Sequence, residues 1–348
     1  MSIHQLLHAG IAALAIALSP AIALAQQQPE LKNARLVISY QDPAFPALIR
    51  KSGVLDGAAY TVEWVLLNGP AANLSALYAG NIDLGHMGDT SLTLEQANAP
   101  TAWTPENAPL RIVAGWRNAH SRAFPRLTTA VRTSANISSV QDIQGKKFGY
   151  NYGGVNHAQY LATLVQAGLT EKQIEPVKFN DSPAAAAGFN AGRVDVYAGG
   201  LGPVLTSIRS GAGRILLTDR DTGIPAMSVW TATSKVLKDP LKVAALQDYF
   251  GRLSGYWAWH RSNKAVVIDV LKSSLKITDE RAAFEYEVRG GSFVKFDTEL
   301  LAQEQKIADI LFDGRAIKKK VDVRIGYDPQ FNAAQKAIDL ASAVKDGN

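Results

Sequence analysis

The sequence predicts an α/β fold with two lobes, each built on a mainly parallel sheet flanked by helices, and two crossover strands that join the lobes. Two observations support this prediction. Strand-like and helix-like runs alternate along most of the 348 residues, which is typical of parallel sheets covered by helices. In addition, one short motif occurs in both halves of the chain.

The recurring motif occupies residues 77–88 and again residues 189–200. In both copies an Ala-Gly pair precedes an aliphatic-Asp-aliphatic run, and a glycine ends the motif. We predict that the Ala-Gly pair ends a helix and that the aliphatic run, residues 82–84 in the first copy, is a short buried strand. Asp83 and Asp195 occupy equivalent places, so a shared structural role is more economical than a catalytic pair of carboxylates.

The first half of the chain contains three strand–helix units and a fourth strand. Strands are predicted at 36–40, 60–66, 82–84 and 110–116, and helices at 45–51, at 70–78 and from Asp89 onward. Asp89, Thr90 and Ser91 are residue types that cap helix starts. A glycine turn into a helix start points unpaired N–H groups and the positive end of the helix dipole into a crevice, which predicts an anion site.

The alternation restarts at residue 127 and predicts the second lobe. Its strands are expected at 127–131, 147–150, 177–179 and 215–217, and its helices at 138–143, 156–167 and 183–191. A strand at 227–231 is predicted to return to the first lobe, around which helices at 241–260, 264–275, 279–288 and 298–311 pack. Because ligands of parallel sheets bind at the carboxyl ends of the strands, we expect the site in the cleft between the lobes.

Composition narrows the functional classes. The chain has 36 Lys and Arg residues against 31 Asp and Glu, without a basic run that alternates with aromatic residues, so we expect no nucleic-acid partner. The absence of cysteine excludes disulfides, thiolate metal sites and cysteine nucleophiles. The histidines beyond residue 8 lack metal-ligand spacing, and no serine-hydrolase, zinc-protease or phosphate-loop motif occurs. We therefore expect no metal, no cofactor and no enzymatic activity.

Residues 1–25 are predicted to be a secretory signal peptide. Residues 6–24 are almost wholly Ala, Leu and Ile, Pro20 interrupts them, and Ala-Leu-Ala at 23–25 provides a cleavage site before a polar stretch. The alternative is an uncleaved membrane anchor, since the apolar run is nearly long enough to span a bilayer. We favour cleavage after Ala25 and expect a soluble periplasmic protein.

Four stretches carry a family resemblance: Ser-Tyr-Gln at 39–41, Ala-Gly-Asn-Ile-Asp running into Gly-Asp at 79–89, Asp-Ile-Gln-Gly-Lys-Lys at 142–147, and Gly-Gly-Val-Asn-His at 153–157 ahead of Ala-Gly-Leu at 167–169. In these stretches the chain resembles the solute-binding proteins of ABC importers, in their sulfonate, taurine and nitrate branch (SsuA/TauA/NMT1-like). The resemblance covers residues 35–272, and the Gly-Lys-Lys strand and the Gly-Asp loop are its most specific parts.

The resemblance implies a two-lobed periplasmic binding protein fold of type II. Residues 30–127 together with 227–348 would form lobe one, and residues 128–226 would form lobe two. It also implies a function: capture of one small organic anion, an aliphatic sulfonate or taurine first, and its delivery to an ABC permease in the inner membrane. We expect the protein to be a monomer.

The resemblance also implies the ligand site, with residues from the first strand end, from the helix after the repeated motif and from a helix start in lobe two. Asp89 would repel an anion unless the solute also carries an amine, as taurine does; otherwise Asp89 only caps its helix. Thr90 likewise either contacts the anion or only caps the helix. Arg117 and Arg122 are further candidates for anion clamps, outside the assigned set. The assigned residues are Gln41, Asp42, Gly88, Asp89, Thr90, Asn156 and His157.

Three other functions stay open at this point. The solute is nitrate in one alternative and a pyrimidine precursor of thiamine in another, although the latter needs aromatic stacking where this chain has Gly199 and Gly200. The family's usual Trp-Asp-Pro is absent there, and residues 199–203 read Gly-Gly-Leu-Gly-Pro. The third alternative is an enzyme on the same fold, such as an aromatic sulfinate desulfinase or a pyrimidine synthase. Those relatives rely on cysteine, which this chain lacks.

Overall fold

The structure is a computed structural model, and it describes residues 31–118 and 124–335. The predicted signal peptide lies outside the described residues. The strands are β1 (Arg35–Tyr40), β2 (Thr61–Leu66), β3 (Gly85–Gly88), β4 (Leu110–Asn118), β5 (Leu127–Arg132), β6 (Lys147–Asn151), β7 (Glu175–Phe179), β8 (Val196–Gly200), β9 (Gly213–Thr218), β10 (Ser228–Thr233) and β11 (Gly291–Phe293).

Most α-helices follow the strands as the sequence predicts, and short 3₁₀ turns connect several of them. The helices are α1 (Ala44–Ser52), α2 (Gly69–Tyr78), α3 (Thr90–Asn98), α4 (Val155–Ala167), α5 (Ser182–Asn190), α6 (Leu205–Arg209), α7 (Asp219–Thr222), α8 (Pro240–Ser262), α9 (Lys264–Leu275), α10 (Asp279–Arg289) and α11 (Thr298–Asp313). The helix predicted at 138–143 is instead a 3₁₀ turn at Val140–Ile143, and the short helices α6 and α7 were not predicted. Within residues 31–118 and 124–335, none of the helices has the length and apolar composition needed to cross a bilayer.

The two lobes have sheets of the same strand plan. In the second lobe the strand order is β7-β6-β8-β5-β9, with β5 antiparallel to both of its neighbours. In the first lobe β2 and β1 pair in parallel, and β3, β10, β4 and β11 continue the layer, with β10 antiparallel to β3 and β4. A bridge between Ile38 and Leu84 joins the two parts of this layer. The predicted α/β fold with two crossover strands is confirmed.

The recurring motif supplies equivalent strands, β3 and β8, to the two sheets. The Asp83 carboxylate accepts a 2.8 Å hydrogen bond from the Val37 N–H in β1, and the Asp195 carboxylate accepts a 3.0 Å bond from the Lys147 N–H in β6. In each case the carboxylate accepts from a backbone N–H group of the neighbouring strand, and this N–H group has no partner in the sheet ladder. Their shared structural role follows from this contact.

The position of the first motif strand differs from the prediction. The sequence places it at residues 82–84, whereas β3 begins at Gly85 and Leu84 makes only the single bridge to β1. Aliphatic residues favour the extended state locally, but the ladder here is decided by β10, which pairs with residues 85–88. Gly88 therefore ends the strand and does not open a turn, so its backbone lies at the carboxyl end of β3.

Helix α8 packs on the first sheet, and α9 packs on α1, α8 and α10, in a core rich in aromatic residues. Helices α10 and α11, which the sequence predicts around lobe one, also contact the second lobe. Phe284 of α10 packs with Val204 and Leu205 of lobe two, and α11 packs against α4. These two helices therefore bridge the cleft on which the function depends.

Candidate functional site

A cavity of about 360 Å³ lies between the lobes. Its wall contains the carboxyl ends of β1, β3, β4 and β6, the starts of α1, α2, α4 and α5, and parts of α8 and α10. This is the edge where parallel sheets bind ligands, and the volume is in the range of small-molecule sites. The sequence prediction of an interlobe cleft therefore corresponds to a real cavity.

The lobes touch beside this cavity. Gly88 at the end of β3 packs against Val155 at the start of α4, and a Cβ added to residue 88 would lie 2.4 Å from the Val155 Cγ1 and 2.9 Å from its N. A Cβ on Gly154 would lie 2.7 Å from the Pro70 Cγ. Gly88 and Pro70 belong to lobe one and Val155 and Gly154 to lobe two, so the two lobes are in contact here.

Four of the predicted residues lie in the cavity wall: Gln41, Asp42, Gly88 and Asn156. The Gln41 Nε2 donates to the His86 carbonyl at 2.8 Å, which fixes the amide across the end of β3. The Asn156 Nδ2 donates to the Asn151 Oδ1 at 2.7 Å and to the Ser182 Oγ at 2.6 Å. Both amides are therefore held in place before any solute arrives.

Asp89, Thr90 and His157 lie behind the wall instead of in it. Asp89 is 1% exposed, and its carboxylate accepts 2.7 Å hydrogen bonds from the N–H groups of Thr90 and Met227. Thr90 is equally buried, and its hydroxyl makes no hydrogen bond within the described part of the chain. The Asp89 carboxylate thus links the start of α3 to Met227, just before β10, where the chain returns from lobe two to lobe one.

His157 is packed between aromatic rings. Its ring stacks on Tyr150 with centroids 5.0 Å apart, and its Nδ1 accepts a 3.4 Å hydrogen bond from the Gly153 N–H. Burial, together with the positive charge of Lys178, lowers the pKa of His157 to about 4. The ring is therefore neutral at pH 7 and supports the loop before α4. The ligand-binding role of these three residues stays a prediction.

Arg117 and Arg126 bring positive charge to the cavity wall. The Arg126 guanidinium donates to the carbonyls of Pro225, Ala226 and Asn118 at 3.0–3.1 Å. Burial and repulsion from Arg117 lower the pKa of Arg126 to about 10, so it stays charged at neutral pH. Arg117 forms no hydrogen bond or ion pair with a side chain in the described ranges. An anion in the cavity would compensate both charges.

The start of α4 points at the same region. Gly154 is its N-cap residue and offers no side-chain acceptor to the free N–H groups of the first helical turn. Gly88 touches this helix start. At the next residue, Asp89, burial raises the pKa of the carboxyl group, and the positive charges of Arg126 and Arg117 oppose that rise. Two guanidinium groups and one helix dipole therefore converge on one part of the cavity.

A second charged cluster involves α10. Arg289 forms ion pairs with Asp42 at 2.8 Å and with Glu285 at 2.7 Å, and Arg281 pairs with Glu285. Burial opposes ionisation of Asp42 and Glu285, but the arginine charges outweigh it and lower the pKa of both carboxyl groups. All these groups are charged at pH 7, and within the cluster the charges balance.

Aromatic residues of lobe one form an apolar wall. Phe45, Trp116, Tyr256 and Trp257 line the cavity together with the His86 ring, which stacks on Trp116 at a centroid distance of 5.0 Å. Burial, partly offset by Asp42, lowers the pKa of His86 to about 4, so this ring is neutral at pH 7. The site thus combines positive charge with an aromatic wall in which Phe45 and His86 are half-buried and Trp116, Tyr256 and Trp257 are buried.

Sequence reasoning missed the contributions of α8 and α10. In α10, Arg281, Glu285 and Arg289 are spaced by four residues, a pattern typical of a solvent-exposed helix face. Nothing in the neighbouring sequence distinguishes this spacing from that of an exposed helix face. The segment 199–203 lies outside the cavity: the Gly202 carbonyl accepts a hydrogen bond from Arg281, so α10 stands between this segment and the solute.

The chain was compared with known proteins. A family model described as "NMT1/THI5 like" matches residues 61–250. A protein of Escherichia coli (strain K12) named as an aliphatic sulfonates-binding protein is 27% identical over 304 residues, which cover 86% of this chain and 89% of that protein.

Two solved structures share the fold. The alkanesulfonate-binding protein SsuA from Xanthomonas axonopodis pv. citri, bound to MOPS, has a TM-score of 0.71 at 22% identity and covers 85% of this chain and 98% of its own. The periplasmic aliphatic sulphonate binding protein SsuA from Escherichia coli has a TM-score of 0.66 at 25% identity, with coverage of 85% and 92%.

Proposed function

The chain belongs to the NMT1/THI5-like family, and on that premise we propose that it is the periplasmic solute-binding component of an ABC importer. It captures a small organic anion, an aliphatic sulfonate or taurine in the first place, in the cavity between its lobes. The names of its sulfonate-binding relatives support this solute class, and the cavity provides the chemistry that a sulfonate requires.

One observation carries the proposal: Arg117 and Arg126 line the cavity beside the start of α4, and within the described part of the chain neither forms an ion pair with a carboxylate. Guanidinium and helix-start N–H groups donate charge-assisted hydrogen bonds to oxyanions. A sulfonate has three oxygens and one delocalised charge, so it can accept from several of these donors at once.

We assign the predicted residues different roles in this proposal. Gln41, Asp42, Gly88 and Asn156 contact the solute or shape the wall around it. Asp89, Thr90 and His157 support that wall from behind. The negative charge of Asp89 then faces the two arginines and the N–H groups of Met227 and Thr90, which answers the objection that it would repel an anion.

Transport follows from closure around the solute. The contacts of Gly88 with Val155 and of Pro70 with Gly154 form only when the lobes meet, so a solute bound to both lobes favours the closed state. We further propose that residues 1–25 are the signal peptide, that residues 30–127 with 227–348 and residues 128–226 are the two moving lobes, and that a monomer delivers the solute to the permease. The relatives named above are binding proteins, and we propose binding without turnover.

A thermal-shift screen of the chain from Gln26 onward tests the proposal. Propane-1-sulfonate, hexane-1-sulfonate, taurine, nitrate, acetate and a hydroxymethylpyrimidine are added separately. A ligand at 100-fold its Kd adds about 2.7 kcal/mol to the free energy of unfolding, which is a shift of several degrees. We expect sulfonates to raise Tm. A shift with nitrate or the pyrimidine alone, or with none of the sulfonates, would contradict the proposal.

A further inference from the structure

We infer that the preferred solute is a sulfonate, or an oxyanion of the same shape, carried directly on an aromatic ring and without an ammonium group. The inference rests on the proposed function, because it concerns the same cavity. It keeps the sulfonate class of the proposed function but differs from its first-named solutes in two respects: the solute is not a zwitterion such as taurine, and its body is a flat aromatic ring instead of an aliphatic chain. A separate structural observation supports each of these two properties.

The first observation concerns the carboxylates of the wall. Among the described residues, Asp42 and Glu285 are the only acidic side chains that line the cavity. The Asp42 Oδ1 accepts from the Ala44 N–H at 2.9 Å and its Oδ2 from Arg289, while the Glu285 oxygens accept from Arg281 and Arg289. Their charges are already paired with arginines.

An ammonium group in this cavity would therefore meet more positive than negative charge. Arg117, Arg126 and Arg289 line the wall against the two carboxylates, and Arg281 lies directly behind Glu285. Asp89 and Glu304 offset part of this positive charge from behind the wall, because the charge of Arg117 acts on both. Neither can contact an ammonium group in the cavity, since Asp89 is 1% and Glu304 2% exposed. Since an unpaired charge in a closed cavity is costly, the arrangement selects against zwitterions.

The second observation concerns the aromatic wall. Phe45, Trp116 and Tyr256 come from three separate elements, α1, β4 and α8, yet they meet on one side of the cavity. The Phe45 and Trp116 rings are inclined by 20° with centroids 6.5 Å apart, and Tyr256 stands at 76° to Phe45 at 6.1 Å. Of these rings Phe45 is half-buried and Trp116 is 8% exposed, whereas Tyr256 is 2% exposed and supports Phe45 from behind. A flat ring in the cavity can pack on Phe45 in one of the favourable aromatic geometries.

The size of the cavity agrees with this body. Its volume of about 360 Å³ corresponds to about twelve waters at ~30 Å³ each. A sulfonated benzene ring fills more of this volume than a two-carbon sulfonate does. Val155 of lobe two adds an apolar side chain to the same cavity.

Two ligand pairs test the inference on the unmodified chain by calorimetry. Propane-1-sulfonate and taurine are isosteres that differ in a methyl and an ammonium group. Benzenesulfonate and cyclohexanesulfonate share a six-membered ring, but only the first is flat and aromatic. We expect propane-1-sulfonate to bind at least about tenfold more tightly than taurine. We expect benzenesulfonate to bind about two- to tenfold more tightly than cyclohexanesulfonate.

The variants Phe45→Leu and Phe124→Leu add a structural control. Phe45 lines the cavity, whereas Phe124 packs on Phe284 outside it. Phe45→Leu should remove the preference for benzenesulfonate and retain the preference for propane-1-sulfonate over taurine. Phe124→Leu should retain both preferences. If Phe45→Leu fails to fold, the ligand pairs on the unmodified chain still decide the question.

The outcomes separate this inference from the proposed function. Taurine binding as tightly as propane-1-sulfonate would overturn the charge argument, and cyclohexanesulfonate binding as tightly as benzenesulfonate would overturn the aromatic argument. In both cases sulfonate binding itself would stand. If none of the four sulfonates bound, the proposed function and the inference would both be wrong.

Discussion

Replacing Gly88 by alanine should weaken solute binding without weakening the folded protein. The added Cβ would lie 2.4 Å from the Val155 Cγ1 and 2.9 Å from the Val155 N, distances at which atoms must move apart. Val155 belongs to the opposite lobe, so this clash exists only while the lobes are closed. Alanine at residue 88 therefore acts on the closing step that binding requires.

The size of the effect follows from the cost of overpacking. Inserting a methyl group into a filled contact costs about 1–3 kcal/mol. If this free-energy cost acts only on lobe closure, it raises Kd about 5- to 150-fold. The free energy of unfolding without ligand should change by less than about 0.5 kcal/mol, because the open state relieves the contact.

The repeated motif provides the matched control. Gly200 occupies the place in β8 that Gly88 occupies in β3, and neither glycine has a positive φ, so alanine fits the backbone of both. A Cβ on Gly200 would meet no atom closer than 3.7 Å. Calorimetry with propane-1-sulfonate should therefore show unchanged affinity for Gly200→Ala. Equal affinities for both variants, or equal losses, would refute the reasoning.

Three further predictions concern charge, pH and shape. Arg117→Gln should weaken sulfonate binding by about 1.5–3 kcal/mol, because it removes a charged hydrogen-bond donor; calorimetry should show no loss for Arg193→Gln on the exposed surface. His86 and His157, each with a pKa lowered to about 4 by burial, favour the folded state above pH 6.5, and this contribution is lost as pH falls through 4. Urea unfolding should show a loss of up to about 3 kcal/mol for each ring between pH 7 and pH 4, and a constant free energy would contradict the burial argument. Finally, saturating sulfonate should reduce the radius of gyration in small-angle scattering, and an unchanged radius would argue against closure.

Much of the fold could be predicted because the signals are local. Strand and helix patterns depend on neighbouring residues, and the two copies of the motif indicate two similar sheets. The family resemblance implied Gln41, Asp42, Gly88 and Asn156, which lie at strand ends and helix starts, the edge where parallel sheets bind ligands. No distant contact was needed to place them near the cleft.

The other site residues depend on distant contacts. Asp89 turns away from the cavity because it accepts a hydrogen bond from the Met227 N–H, which lies 138 positions further along the chain. Arg289 lines the cavity because α10 packs across both lobes, although its spacing from Glu285 is that of an exposed helix. A sequence pattern reports the local element, and only the packing decides which of its faces meets the solute.

The site itself arises where the similarity of the two lobes ends. After β3 the chain enters α3, and Gly88 faces the cleft; after β8 it turns at residues 202–204, and the Gly202 carbonyl is bound by Arg281 of α10. Helix α10 thereby occupies the wall that the second motif would otherwise form, and it brings Arg289 to Asp42. Two similar sheets frame the cavity, but the ion pairs around Asp42 and part of the aromatic wall depend on α10 and α8. Changes in solute preference should therefore map to α8 and α10 more than to the repeated motif.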